Sequence, residues 1–187
     1  MKKLLLLTVV FTVSLSFSQT KNKTVYVKYI NEPITVDAIL DEDAWSKAKP
    51  ATNFWEWFPS DSIQAKQQTE IKMLFDDDNL YIGMKINSSG NDFIIPSLRR
   101  DFSARGNDNI TLMFDTFNDG TNAFLFGSNP YGVQREMLLS GGGTNIRGFN
   151  MAWDTKWLSA SKIHDNYYIL EWAIPLSAFK YREGETK

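Results

Sequence analysis

Six tryptophans are the most conspicuous side chains with chemical potential in this chain of 187 residues. An indole ring can stack on the apolar face of a sugar, or it can fill the core of a folded domain. Trp45 and Trp172 lie in regularly patterned segments, which predicts that both are buried. Trp55 and Trp57 lie in NFWEWFPSD, where a loop is expected, so ligand contact and burial are equally open for them.

The stretch from residue 114 to 136, FDTFNDGTNAFLFGSNPYGVQRE, concentrates carboxylate and amide groups of the kind that bind calcium. Calcium takes roughly six to eight oxygen ligands. Asp115, Asn118, Asp119 and Asn122 could supply some of them, but the acidic spacing of an EF-hand is absent. The order Asn-Asp-Gly at 118–120 is instead a strong hairpin signal, because glycine adopts positive φ at little cost. We therefore predict a turn with no metal or other cofactor, with calcium as the alternative.

Groups suited to catalysis are few. The chain has no cysteine, which excludes thiol catalysis and zinc–thiolate sites. Its single histidine, His164, stands next to Asp165, and no nucleophile-elbow motif accompanies it. A glycoside hydrolase needs two carboxylates roughly 5–10 Å apart across a cleft. Asp101, Asp108 and Asp115 could be nominated, but nothing in the sequence fixes such a pair. We therefore predict that the protein is not an enzyme.

The elements that must position these residues are predicted to be β-strands. Apolar and polar residues alternate with a period of two between short clusters of turn residues, which is typical of antiparallel strands. About eight strands at this spacing favour an all-β sandwich or barrel. The predicted strands cover residues 24–30, 69–75, 80–86, 109–117, 122–129, 133–139, 153–163 and 167–174.

One short helix is predicted at residues 41–49, within LDEDAWSKAKP. Asp41 is suited to cap its N-terminus, acidic residues follow in the first turn, and a proline ends it. Ala44, Trp45 and Ala48 share one apolar face of this helix. We expect that face to cover an open end of the sandwich.

Residues 1–19 are predicted to be a signal peptide. Lys2 and Lys3 precede an apolar run at residues 4–13, and small residues stand before the expected cleavage point. The run is too short to span a bilayer comfortably. Cleavage leaves residues 20–187 as one domain, which contains 18 of the 20 basic residues and all 22 acidic residues. This balance argues against nucleic acid or an anionic membrane as a partner.

Four segments, taken in order, resemble the family-nine carbohydrate-binding modules. They are ITVDAILDEDAW, DNLYIGMKI, ITLMFDTFNDGTNAFLFGSNPYGVQRE and YYILEWAIPLSAF. The resemblance spans about residues 25–179 and is to the version that opens large exported proteins of Bacteroidetes-type bacteria. It implies an antiparallel β-sandwich of jelly-roll type, with binding rather than catalysis as its activity.

The resemblance also implies a larger protein around this domain. Family members usually continue with one more strand after the IPLSAF motif, so we expect that residues 20–187 stop before the last strand. In the long proteins of this kind, a C-terminal membrane β-barrel follows. The resemblance therefore implies a location in the periplasm, outer membrane or cell surface of a Gram-negative bacterium.

Family-nine modules that bind sugar hold the end of a glycan between two tryptophans. Local composition nominates Trp57 and Trp153 as this stacking pair, with Trp55 beside them. Sugar hydroxyls need polar partners, for which Arg100 and Tyr131 are the candidates. The predicted function is binding of a polysaccharide or oligosaccharide. The alternatives are a structural or docking domain of an outer-membrane barrel protein and an accessory domain of a glycoside hydrolase.

Overall fold

Nine β-strands and one α-helix make up the regular structure in the residues that the computed structural model describes, 24–144 and 146–181. The helix, α1, spans Asp43–Lys47. The strands are β1 (Lys28–Tyr29), β2 (Thr69–Phe75), β3 (Asn79–Asn87), β4 (Ile110–Phe114), β5 (Ala123–Ser128), β6 (Gln134–Leu139), β7 (Phe149–Asn150), β8 (Leu158–Ile163) and β9 (Tyr167–Pro175).

The strands form two sheets that pack face to face as a sandwich. One sheet has the order β1-β2-β3-β9-β8, and the other has the order β4-β5-β6-β7. Among the described strands, β1 and β2 run parallel and every other neighbouring pair runs antiparallel. The predicted all-β sandwich is confirmed, with one parallel pair at its edge.

The predicted strand boundaries agree best with the structure for strands that pair with a neighbouring strand on both sides. The predicted strand at residues 69–75 is β2 without any shift, and β3 extends its prediction by one residue at each end. The predicted strand at 24–30 is reduced to β1, because only its last part pairs with β2. The sequence missed β7, since two residues are too few to show a period.

The core lies between the two sheets. β3 and β9 pair residue for residue, so that Ile82 faces Trp172 and Met84 faces Leu170 across the ladder. All four side chains are fully buried, together with Phe126 from the opposite sheet. Burial of Trp172 is therefore confirmed, and its indole nitrogen donates a hydrogen bond to Ser128 Oγ on β5 at 3.0 Å. This bond connects the two sheets through the middle of the core.

Helix α1 packs on the outer face of the five-stranded sheet, so the expected position across an open end of the sandwich is wrong. Its apolar residues Ala44 and Trp45 are buried, as predicted. They contact Leu74, Tyr81 and Ala173, which belong to β2, β3 and β9 and point away from the sandwich core. These outward apolar residues would be exposed to water without the helix, which explains where it docks.

The predicted cap of α1 is also wrong. Glu42, and not Asp41, occupies the N-cap position, and its side chain makes no capping hydrogen bond. Glu42 Oε1 instead accepts a hydrogen bond from the backbone N–H of Thr35 at 2.9 Å. The helix lies within the predicted residues 41–49 but is shorter, because tertiary packing rather than capping determines where it forms.

Glu171 holds the segment that includes α1 against the sheet. This β9 residue is fully buried, and its Oε2 accepts hydrogen bonds from the backbone N–H groups of Asp37 at 3.0 Å and Ala38 at 2.8 Å. Its Oε1 accepts the indole N–H of Trp45 at 3.1 Å. Burial raises the pKa of Glu171, while these donors favour its charged form. Three donors from the covering segment therefore converge on one carboxylate.

The 114–136 stretch contains the β4–β5 hairpin, as predicted. Asp115 accepts hydrogen bonds from the backbone N–H groups of Asp119 at 3.2 Å and Gly120 at 2.7 Å. Asp119 accepts those of Thr121 and Asn122, both at 2.8 Å, which lowers the pKa of its carboxyl group together with the Asn122 amide. The carboxylates that could bind calcium therefore stabilise the turn. In the described ranges, no three acidic or histidine side chains cluster closely enough to hold a metal.

The predicted signal peptide at residues 1–19 lies outside the described residues. Between residues 24 and 181, apart from residue 145, no helix has the length and hydropathy needed to cross a membrane.

Substituting Glu171→Gln should destabilise the domain by about 1–3 kcal/mol. The glutamine side chain places an NH₂ group where a carboxylate oxygen now accepts a hydrogen bond, so at least one N–H donor loses its acceptor. Urea denaturation at neutral pH measures this change. Glu70→Gln is the matched control, since Glu70 lies on the same sheet with a partly exposed side chain. The control should stay within about 0.5 kcal/mol of the parent protein. Equal stability of both variants would contradict the role given to Glu171.

Substituting Gly120→Val should destabilise the fold by about 1–3 kcal/mol through backbone strain. Gly120 has a φ of 65°, and a side chain added there would meet no neighbour, so strain is the only penalty. Thr121→Val, one residue further along, should change stability by less than about 0.5 kcal/mol. EDTA should barely shift the melting temperature of the parent protein. A large drop with EDTA that calcium reverses would show that Asp115 and Asp119 bind an ion.

Candidate functional site

Trp55 and Trp57 lie on a hairpin that precedes β2. Its base is closed by hydrogen bonds from Glu56 N to Ile63 O and from Ala65 N to Phe54 O, both at 3.0 Å. The side chain of Gln68 adds bonds to the carbonyls of Phe54 at 3.1 Å and Ala65 at 2.6 Å. Phe54 packs against the core. The base is therefore fixed on the domain, while its tip extends into solvent.

The tip of this hairpin presents aromatic rings to water. Trp57 is 90% exposed, Phe58 is 83% exposed, and Trp55 is 48% exposed. The question that the sequence left open between burial and exposure is therefore resolved in favour of exposure for both tryptophans. Exposed aromatic rings in a fixed position are suited to stacking on a ligand, and contact with a ligand stays a prediction for both.

Trp153 belongs to the rim of the core. Its ring meets the rings of Phe124 at 5.6 Å and Phe126 at 5.8 Å, edge to face. Its side chain is partly buried and packs against the main core cluster. The ring contacts of the described residues do not join Trp153 to Trp57, and the two indoles have different surroundings. Stacking of a sugar between them stays a prediction.

Arg100 is the centre of a hydrogen-bonded network. Its guanidinium donates to Gln134 Oε1 at 2.7 Å, Asp154 Oδ1 at 3.1 Å and Thr155 O at 2.9 Å, and also to Glu136 Oε1. The network brings Arg100 to the chain segment that follows Trp153, so these two predicted residues lie in one region. Because four acceptors already bind the guanidinium, the main contribution of Arg100 is to stabilise the fold.

Glu136 is the buried acceptor in this network. It lies on β6 facing the core, and its Oε2 accepts the indole N–H of Trp157 at 3.0 Å. Burial raises the pKa of Glu136, and the hydrogen bonds from Trp157 and Arg100 oppose that rise. Trp157 therefore has a structural function, which fits its position against Trp172 at 5.1 Å between ring centres.

Tyr131 lies in the tight turn between β5 and β6. The turn is closed by the hydrogen bond from Gly132 N to Asn129 O at 2.9 Å, as its Asn-Pro-Tyr-Gly sequence predicts. The Tyr131 side chain is exposed, and its ring meets the edge of Phe93 at 6.4 Å. Phe93 in turn packs against Tyr168 at 5.4 Å. Tyr131 is thereby placed near one end of the sandwich, where β9 begins.

A cavity of about 370 Å³ lies at this end and was missed by the sequence analysis. Its walls come from the strand ends and the long loop between β3 and β4, and they include Gln67, Asn87, Ser88, Asp92, Phe93, Asp108 and Tyr168. These residues come from four separate segments of the sequence and form no motif. The only signal available was the density of Asn, Ser, Asp and Gly in residues 87–92, which also describes an ordinary loop.

Three solved structures share this fold. The chain is 14% identical to a family 9 carbohydrate-binding module of Caldicellulosiruptor kristjanssonii solved with cellotriose, with a TM-score of 0.56 over 87% of this chain and 72% of that one. The corresponding glucose complex gives a TM-score of 0.57 at 14% identity, over 87% and 73%. A Bacteroides uniformis protein proposed to bind carbohydrate gives 0.57 at 12% identity, over 83% and 72%. No curated protein sequence matches the chain.

A family profile gives the more specific result. The profile described as "Carbohydrate family 9 binding domain-like" matches residues 36–186, which is most of the chain. The match includes both sheets except β1, the aromatic hairpin, the Arg100 network and the cavity. Because this match covers most of the chain, and the fold is a β-sandwich like that of the similar structures, the chain belongs to the carbohydrate family 9 binding domain-like family.

Proposed function

We propose that this chain is a glycan-binding module of a larger exported envelope protein. The domains of its family are non-catalytic binding modules, so this domain binds rather than catalyses. The two buried carboxylates of the described residues are engaged by indole, guanidinium and backbone donors. Glu136 and Glu171 stabilise the fold and do not face a cleft.

The observation that carries the glycan proposal is the position of Trp57. A tryptophan that is 90% exposed on a hydrogen-bonded hairpin contributes little to the stability of the fold. Its indole plane is free to cover the C–H face of a sugar ring, and Trp55 stands two residues away on the same hairpin. The predicted site residues Arg100 and Tyr131 would contribute from the neighbouring body of the domain, whereas the ring contacts of Trp153 assign it first to packing.

Neutral glucose-containing oligosaccharides are the first ligands to test. The related module of Caldicellulosiruptor kristjanssonii was solved with cellotriose and with glucose. The negative net charge of this chain favours a neutral glycan over an acidic one. Binding assays should therefore begin with cellotriose and glucose and extend to plant and bacterial polysaccharides.

The wider setting that we propose rests on the signal peptide and on the sequence resemblance. Residues 1–19 would direct export, and a membrane β-barrel would follow this domain in the full-length protein. The module would then face the periplasm or the cell surface. Reading the coding sequence downstream of Lys187 tests this setting, since a long barrel-like extension is expected there.

Docking to another part of the same protein is the second candidate function. Phe58 and Ile63 are exposed on the hairpin together with Trp57, and an exposed apolar patch can bury itself against a partner domain. A docking surface would use all three side chains, whereas a sugar platform depends on the indole plane. The two functions therefore differ in their sensitivity to Phe58. An accessory role beside a glycoside hydrolase would use the same sugar platform.

Trp57→Ala should weaken binding of cellotriose by about 1–3 kcal/mol, because the stacking plane is lost. The melting temperature should stay unchanged, since the side chain is exposed. Isothermal titration calorimetry beside a thermal melt measures both quantities. Phe58→Ala is the matched control and should leave glycan affinity intact. If both variants keep full affinity for every glycan that the parent protein binds, the hairpin is not the binding platform.

Trp153→Ala should behave in the opposite way and lower stability by up to about 3–5 kcal/mol, the range for truncating a buried aromatic ring. The contacts with Phe124 and Phe126 are the reason. Urea denaturation measures the loss. A Trp153→Ala variant with parental stability and no glycan affinity would instead place this indole in the binding site.

A further inference from the structure

The cavity at the end of the sandwich has the size and composition of a small-ligand site. It lies where β2, β4 and β9 begin and β3 ends, and its volume of about 370 Å³ falls in the range of ligand pockets. Ile86, Phe93 and Tyr168 form an apolar wall. Polar side chains complete the lining, including Asn87 and Ser88. An apolar wall with polar groups beside it fits a sugar ring.

The polar side of the cavity has unused hydrogen-bonding capacity. Ser88 Oγ is buried and has no hydrogen-bond partner among the described residues. An unpaired buried hydroxyl is unfavourable, and this one lies in a residue that lines the cavity. Asn107, in the loop next to the cavity residue Asp108, also has a buried side-chain oxygen without a partner.

Two carboxylates give the cavity a negative character. Asp108 Oδ2 accepts the backbone N–H of Ile94 at 2.8 Å, which leaves its other oxygen available. The carboxylate of Asp92 is exposed and makes no hydrogen bond or ion pair with the described residues. No lysine or arginine belongs to the cavity lining. Such a site accepts hydrogen bonds from hydroxyl groups and repels a ligand carboxylate.

A second cavity lies between the first one and the base of the aromatic hairpin. A shallower cavity of about 260 Å³ is lined by Thr52, Gln68 and Asn87, among others, and Asn87 also lines the larger cavity. Gln68 is the residue whose amide closes the base of the hairpin. The two cavities are thus neighbours at Asn87, and the smaller one reaches the residue that closes the hairpin base.

We propose that the 370 Å³ cavity is a second sugar subsite, which takes one neutral sugar residue of a glycan held at the hairpin and excludes uronic acids. The proposal rests on the proposed glycan-binding function. Phe93 and Tyr168 contact the apolar face of the sugar, and the carboxylates of Asp92 and Asp108 accept hydrogen bonds from its hydroxyl groups. The two subsites together bind an oligosaccharide more tightly than a single sugar.

Nuclear magnetic resonance of the ¹⁵N-labelled protein tests the subsite directly. Addition of glucose or cellotriose should shift the side-chain amide signals of Gln67, Asn87 and Asn109 in the cavity as well as the indole signal of Trp57. Glucuronate should bind about fivefold more weakly than glucose, the factor expected for two like charges about 4 Å apart in water. Shifts at Trp57 without shifts in the cavity would overturn the subsite and leave the glycan function standing. The absence of any shift would overturn both.

Two variants at exposed positions of the cavity mouth complete the test without loss of folding. Ser89→Trp should fill the entrance and lower cellotriose affinity about tenfold, equal to about 1.4 kcal/mol. Asp92→Asn should reduce the preference for glucose over glucuronate. Asp41→Asn is the charge control, because Asp41 is an exposed residue just before α1 and does not line the cavity. It should change neither cellotriose affinity nor the preference for glucose over glucuronate. Parental cellotriose affinity in Ser89→Trp, or an unchanged preference in Asp92→Asn, would contradict the subsite.

Discussion

The buried carboxylate of Glu171 is the point on which the five-stranded sheet depends. One face of that sheet packs in the sandwich core, and the other face also carries apolar residues, including Leu74 and Tyr81. Covering the second face requires an irregular segment and a five-residue helix, which cannot be stable by themselves. Three N–H donors directed at Glu171 fix that cover. Gly83, opposite Glu171 on β3, allows the close approach, because a side chain there would lie 2.9 Å from Leu40.

Strand alternation carried most of the fold information in the sequence. In β2, β3, β5 and β9, alternate side chains face the core, and the positions of these strands could be predicted to within one residue. The place of α1 could not be predicted in the same way. Its apolar face is compatible with any apolar surface, and only the outward residues of three different strands decide which surface that is.

The candidate site was less predictable than the fold for a related reason. The exposed hairpin could be suspected from the concentration of four aromatic residues in NFWEWF, since such a loop has either to be buried or to bind. The cavity could not, because its walls come from segments that start near residues 67, 86, 108 and 168. Arg100 was nominated as a partner for sugar hydroxyls, whereas the structure assigns it to a carboxylate that is itself hidden in the core. Isolated polar residues give no indication of such pairing before the chain is folded.

The anchoring of the aromatic hairpin has an entropic consequence. Gln68 donates two hydrogen bonds across the hairpin base, and Phe54 packs against the core, so the rings at the tip are carried on an ordered support. A flexible loop would have to lose conformational freedom whenever a ligand settled on it, and that loss would subtract from the affinity. Here most of that ordering has already occurred during folding. The hairpin is therefore preorganised, and in the proposed complex the entropy that association still costs would lie mainly in the glycan.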